Sequence, residues 1–235
     1  MGSFMGHILP SMFALYFGLR SAYCVLYRYY SCQRHDRCCR THDKKTASQT
    51  SNPPPNQNKP PESRTEFRSL PFYNYDCLLP ETVIDAYLVT VAASTGFFAE
   101  FATAFEDGKF VRIHNLQHMM MYVATACAGI GAILTWNKNK VLPPGSDYAV
   151  FLLSFVIEAL LFSFHLRGKP MIEVHVHQLL IVAVMGTLVA CIVEWKKRDN
   201  PLAALFRSYT LLLQSSWFCQ ACEINIRVPE ISHYY

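Results

Sequence analysis

The sequence predicts an all-α fold, a polytopic membrane bundle of six transmembrane helices, on three observations. Hydrophobic residues make up 51% of the chain and charged residues only 16%, too little charge for a soluble surface of this size. Six segments approach the about 20 mostly apolar residues that a helix needs to cross a hydrocarbon core. The breaks between most of them are short and rich in Pro, Gly, Asn and Lys, so consecutive helices must run antiparallel. No segment alternates like a barrel strand.

The first segment, His7–Tyr27, follows a start without a basic n-region or a small-residue cleavage site and is therefore read as a retained helix rather than a signal peptide. Gly2 invites myristoylation, but Gly6 stands where Ser or Thr would be wanted. Arg20 interrupts this helix and is expected to snorkel to the interface. Domain 1–30 thus holds one helix.

Residues 31–76 are expected to form a disordered Cys- and Pro-rich loop, because 31–68 is nearly free of large aliphatic residues and carries the Pro runs at 53–55 and 60–61. Cys32, His35, Cys38, Cys39 and His42 have zinc-like spacings but no partner segment. Cysteines among basic residues just after a membrane helix fit S-palmitoylation better, at Cys32, Cys38 and Cys39. The nine cysteines as a whole make no disulfide framework.

The remaining helices, in domain 77–222, are placed at Pro80–Phe105, Leu116–Trp136, Tyr148–His165, Met171–Trp195 and Pro201–Cys222. Asn137–Gly145, Arg167–Pro170 and Lys196–Pro201 separate the last four. Trp136 and Trp195 read as interfacial anchors and Arg207 as a headgroup contact. Residues 223–235 read as a short polar tail. Basic residues fix the orientation. Arg28–Arg68 carries nine Lys or Arg, and Lys138, Lys140 and Lys196–Arg198 fall on the same side. The N-terminus is expected to be luminal or extracellular and loop 31–76 cytosolic.

Ionisable residues inside these segments are the candidate site, since they are costly in lipid unless paired. His114 and His118 lie one turn apart at the start of the third helix, Glu158 and His165 two turns apart on the fourth, and Glu173 and His177 one turn apart on the fifth, with His175 pointing away. The antiparallel order brings Glu100, His114, His118, His165, Glu173 and His177 towards one luminal level. His114, His118, His165, His177 and Glu173 are the candidate metal ligands, with zinc as the metal, because neutral imidazoles at this spacing chelate divalent ions. Interhelical hydrogen bonding is the simpler alternative. Glu158 sits deeper and needs a proton or a partner there. No P-loop, G-x-S-x-G, H-E-x-x-H or G-x-G-x-x-G pattern occurs. A net charge of +4 spread over loops gives no nucleic-acid surface.

Four runs in succession closely resemble the transmembrane protein 45 family, also described as domain of unknown function 716. They are Met1–Pro10 with the following apolar helix, His114-x-x-x-His118-x-x-Met-Tyr122, Glu158…His165…Gly168-Lys-Pro-Met-Ile-Glu173-x-x-x-His177, and Phe206-Arg-Ser…Gln214-x-x-Trp-Phe218-x-Gln220. The resemblance implies a multi-pass protein of plasma or endomembranes, with no catalytic activity or ligand attached to it. His7, His114, His118, Glu158, His165, Glu173 and His177 match the family's polar positions, Glu100 matches less closely, and His175 falls at a variable place. The chain departs from the family in its long first connection and in lacking the usual seventh, His-containing helix after Gln220, as a truncated or spliced form would.

The first functional reading is a non-enzymatic membrane protein with an intramembrane His/Glu site including His7, Glu100 and Glu158, whose partner is the lipid bilayer and which is compatible with a homo-oligomer. The rivals are a zinc-dependent membrane hydrolase with Glu158 or Glu173 as base, and a proton-coupled channel or transporter.

Overall fold

The computed structural model describes residues 5–49, 67–73, 84–137, 139, 141–166 and 171–231; side chains are described within these except at 5, 36–49, 113, 114, 165 and 225–231. Among the described residues six helices follow the predicted order: α1 Met5–Gln49, α2 Ile84–Thr103, α3 Ile113–Trp136, α4 Ser146–His165, α5 Met171–Lys196 and α6 Pro201–Ile231. Among the described residues four stretches, Gly6–His35, Asn115–Trp136, Ser146–Phe164 and Met171–Lys196, are long and apolar enough to cross a membrane.

Large apolar side chains are displayed outward as well as buried. Val91, Phe98, Val182 and Leu202 are each more than 60% exposed, a pattern that suits hydrocarbon rather than water. Inside, Phe155, Phe162, Leu180, Val184, Leu211 and Phe218 of α4, α5 and α6 form the largest core. Serine and threonine hydroxyls along the helices return to the carbonyl one turn back, as Thr90 does to Ala86 and Thr125 to Met121, which satisfies them without water.

The helices pack in the sequence α2, α3, α4, α5, α6, α1, so that the first helix lies chiefly against the last. Gly129 lets α3 approach α2: a Cβ there would fall 2.3 Å from Thr90 Oγ1 and 2.8 Å from the Ala86 carbonyl. Small residues at such seams are the usual device for close helix packing in lipid.

Three expectations change. α1 continues as helix from Ser31 to Gln49, where a disordered loop was expected; its residues are polar but, up to Gln49, free of the Pro that would stop a helix. Phe67, Leu70, Phe72 and Tyr73, also assigned to that loop, return into the bundle and bury against α1, α2 and α6, because this short stretch is apolar and aromatic. α6 continues through residues 223–231, taken for a polar tail. The structure also adds a hairpin, β1 Phe105–Glu106 and β2 Lys109–Phe110, in which Phe105 opposes Phe110 and Glu106 opposes Lys109. Asp107 and Gly108 both have positive φ, 50° and 74°, as a two-residue turn of this kind requires. The Asp-Gly pair was the visible signal.

Candidate functional site

Antiparallel packing places the N-terminal ends of α1, α3 and α5 beside the C-terminal end of α2. There His7, His118 and His177 meet, each at most 2% exposed. The His7 and His177 rings stand edge to face at 5.3 Å, with their Nε2 atoms 3.2 Å apart, and the His7 and His118 rings stand edge to face at 5.8 Å. His118 Nδ1 lies 3.5 Å from Glu100 Oε1, a contact that becomes an ion pair when His118 is protonated. Glu173, one turn before His177, is buried as well.

Hydrogen bonding fixes part of the proton inventory. His177 Nδ1 is 2.7 Å from the Glu173 carbonyl, and a carbonyl only accepts, so Nδ1 carries a proton. A single proton then occupies the line between the two Nε2 atoms: His7 donates it while His177 is neutral, and His177 donates it when that ring is cationic. Phe162 packs against the His177 ring at 6.3 Å and in turn against Phe218 at 5.6 Å, an aromatic wall between the imidazoles and the interior of the bundle.

Of the residues singled out by sequence, His7, Glu100, His118, Glu173 and His177 come to this level. His114 and His165 start α3 and end α4 at the same end, and their side chains lie outside the described residues. His175 is exposed and turned back on the Met171 carbonyl at 2.7 Å. Glu158 stands apart, accepting from Gln214 Nε2 at 2.7 Å, while Gln214 Oε1 accepts from Thr187 at 3.3 Å. Among the described residues no group of three or more His, Cys, Asp or Glu has the arrangement of a metal site. Of the acylation candidates, Cys32 is a half-buried thiol, and the side chains of Cys38 and Cys39 lie outside the described residues; Cys24, fully buried, is disulfide-bonded.

The opposite end holds polar residues that sequence reasoning did not pair. Arg207, expected at the headgroups, is 1% exposed and bonds the Glu194 carboxylate through Nε and Nη2, with further bonds to the Leu70 carbonyl at 3.0 Å and the Pro71 carbonyl at 3.4 Å. Tyr148 donates to Glu194 Oε1 at 3.2 Å, so both charges are met on several sides. Arg20, expected to snorkel, instead reaches across to Asp85 Oδ1 at 2.5 Å, and Asp85 Oδ2 accepts from the Tyr73 backbone N–H at 3.2 Å. Burial pushes the Tyr73 phenol up to about 12, against the lowering effect of Arg207, so it stays protonated in this corner. Trp136, read as an anchor, donates its indole N–H to Asp147 at 3.0 Å. A signal for these pairs existed: Glu194 and Arg207 are the ionisable residues set inside otherwise apolar runs on either side of one short turn.

Between the two ends lies a cavity of about 140 Å³, walled by α1, α2, α3, α4, α6 and residues 71–73. Phe13, Phe17, Tyr122, Phe151 and Phe155 supply much of its surface, and Glu158 and Gln214 face it from α4 and α6.

Residues 144–224 match the model of a family of unknown function, DUF716, from the turn before α4 to well into α6. The resemblance read from the sequence is shown over that stretch, which contains Glu158, Glu173, His177, Glu194, Arg207 and Gln214.

Proposed function

With the family match over residues 144–224 as premise, we propose that the chain is a six-span integral membrane protein that passes protons through its buried polar residues, as a proton-coupled channel or transporter. The observation that carries this reading is the contact of His7 with His177 through facing Nε2 atoms, next to His118 and Glu100. Imidazole is the side chain whose charge changes near neutral pH, and a shared proton between two rings is one step of a relay.

Counting α2 and α6 as spans is supported by length and by charge. α2 has 20 residues, about 30 Å of helix. In α6 the charge of Arg207 is cancelled inside the bundle by Glu194, and Ser208, Thr210, Gln214 and Ser215 all point inward. The positive-inside count supports a luminal or extracellular N-terminus, which leaves the imidazoles at the non-cytosolic side. The Cys24 disulfide pulls the other way, since such bonds persist in oxidising compartments. Labelling of single cysteines placed in 50–66 decides: reaction with an impermeant reagent from the luminal side reverses the assignment.

Proton flux into liposomes holding the purified protein tests the function. Gradient-driven flux that falls about tenfold or more in His177→Gln supports the relay, on the scale of removing one positioned proton-transfer group. Absence of flux in the unaltered protein ends it.

A zinc-dependent membrane hydrolase is the second reading, and the same Nε2 pair favours it. His177 holds Nδ1–H on a carbonyl, the arrangement that frees Nε2 for a metal. The described side chains do not by themselves make a metal site, so this reading needs His114 or His165 beside His118 and His177 as ligands, with Glu158 or Glu173 as the base. Stoichiometric zinc in purified protein, lost in His177→Gln, would favour it over the relay.

A further inference from the structure

The central cavity has a chemistry of its own. Three carboxylates and two guanidinium groups lie in or behind its wall, and two pairs cancel. Arg207 is bound to Glu194 and shielded by the Phe151 ring, 5.8 Å from its centroid, and Asp85 is bound to Arg20. Among the described residues Glu158 is the acid of this wall with no cation beside it. Its hydrogen bond among these residues is from Gln214, whose carbonyl accepts from Thr187, which favours the orientation that turns the amide N–H towards the acid. Glu158 is half-buried and faces the cavity, with lone pairs still to offer.

Aromatic faces surround this acid. Phe155 lies one turn before it on α4, Phe151 one turn further, and Tyr122, Phe17 and Phe218 close the sides. Such faces attract a cation and accommodate an apolar body. The volume, about 140 Å³, sets the size, since an apolar cavity of about 150 Å³ takes up benzene.

We propose that the cavity is a binding site for a small organic ammonium ion with one aromatic ring or an equivalent aliphatic body, its N–H groups on Glu158 and its apolar part among Phe13, Phe17, Phe151 and Phe155. The incoming charge keeps the Glu158 carboxylate ionised, and Gln214 holds that carboxylate in place. Entry is from the bilayer between α1 and α2, which face each other across the cavity and are tied by Arg20 and Asp85. This site is distinct from the imidazole end, and its occupancy does not require proton movement.

The test is equilibrium binding of 2-phenylethylamine and of its neutral counterpart 2-phenylethanol to the full chain in detergent micelles, with no gradient. A charge-assisted hydrogen bond predicts that the amine binds about tenfold or more tighter than the alcohol, that Glu158→Gln brings the ratio to about one, and that Ser154→Leu, which adds apolar bulk to the wall one turn before the acid, weakens both. Equal binding of amine and alcohol to the unaltered chain, binding indifferent to Ser154→Leu, or no binding of either overturns the proposal. The unaltered chain and Ser154→Leu suffice if Glu158→Gln does not fold.

Discussion

The two ends of the bundle solve the same problem, polar side chains in an apolar surround, by opposite means. At one end Arg207 and Glu194 are fixed charges that cancel, locked further by Tyr148 and by the carbonyls of Leu70 and Pro71. At the other end His7, His118 and His177 are groups whose charge can change, held by edge-to-face contacts and by a proton that either of two rings can carry. The first arrangement resists change and the second permits it. A clamp and a site of exchange are therefore distinguishable by what their removal does.

The largest effect is expected at the clamp. Glu194→Gln leaves the Arg207 guanidinium buried without its counter-charge and should cost about 3–5 kcal/mol, the scale for breaking one side of a buried pair. Melting in detergent, followed by circular dichroism, should show a large fall in Tm, and the double variant Glu194→Gln with Arg207→Met should regain most of it. A single variant as stable as the unaltered chain would show that the pair is no clamp.

Asp85→Asn should follow at roughly half that cost, because Arg20 keeps some solvent or headgroup access at 15% exposure and can turn towards it. The same melts rank the two, and a larger loss for Asp85→Asn would reverse the importance of the pairs.

At the imidazole end stability should change less than function. His118→Gln keeps a hydrogen-bonding group beside Glu100 and is expected to cost only about 1 kcal/mol, while proton flux into liposomes falls about tenfold. Melts and flux on one preparation separate these, and a collapse in Tm with flux per folded molecule preserved would make this end a second clamp. His175→Ala is the smallest change. Among the described residues its exposed ring bonds within its own helix, so melts should move by no more than about 0.5 kcal/mol and flux not at all.

Sequence pattern revealed the helices well because each is a continuous apolar run punctuated by Pro, Gly and Lys, and α5 starts at Met171 as the Lys169-Pro170 break implies. The one-turn spacing of Glu173 and His177 was equally legible, as was the approach of Glu100 to the level of His118. Pairing across helices was not. Nothing in the spacing of Arg20 says that Asp85 faces it, and snorkelling is the reasonable expectation for a long basic side chain near a helix end. The burial of Arg207 is hidden for a related reason: in sequence it lies in the first turns of α6, but residues 67–73 fold over those turns and remove them from the surface. The hairpin leaves little trace in hydrophobicity because it spans six residues with two strand pairs, although Asp107-Gly108 marks it.

The packing of α1 on α6 bears on how the chain is made. Ser11 donates to the carbonyl of Ser215, and Ser215 returns a bond to Ser11, across 204 residues of chain. At a synthesis rate of about 5–20 residues per second the first helix waits about 10–40 s after it emerges before its principal neighbour exists. Throughout that interval the face of α1 that carries Ser11 and Ser21 must be sheltered by lipid, by the insertion machinery or by a chaperone. A ribosome stalled before Pro201 would release a bundle whose first helix lacks its principal neighbour and keeps, among the described residues, its contacts with α2, α3, α5 and residues 67–73.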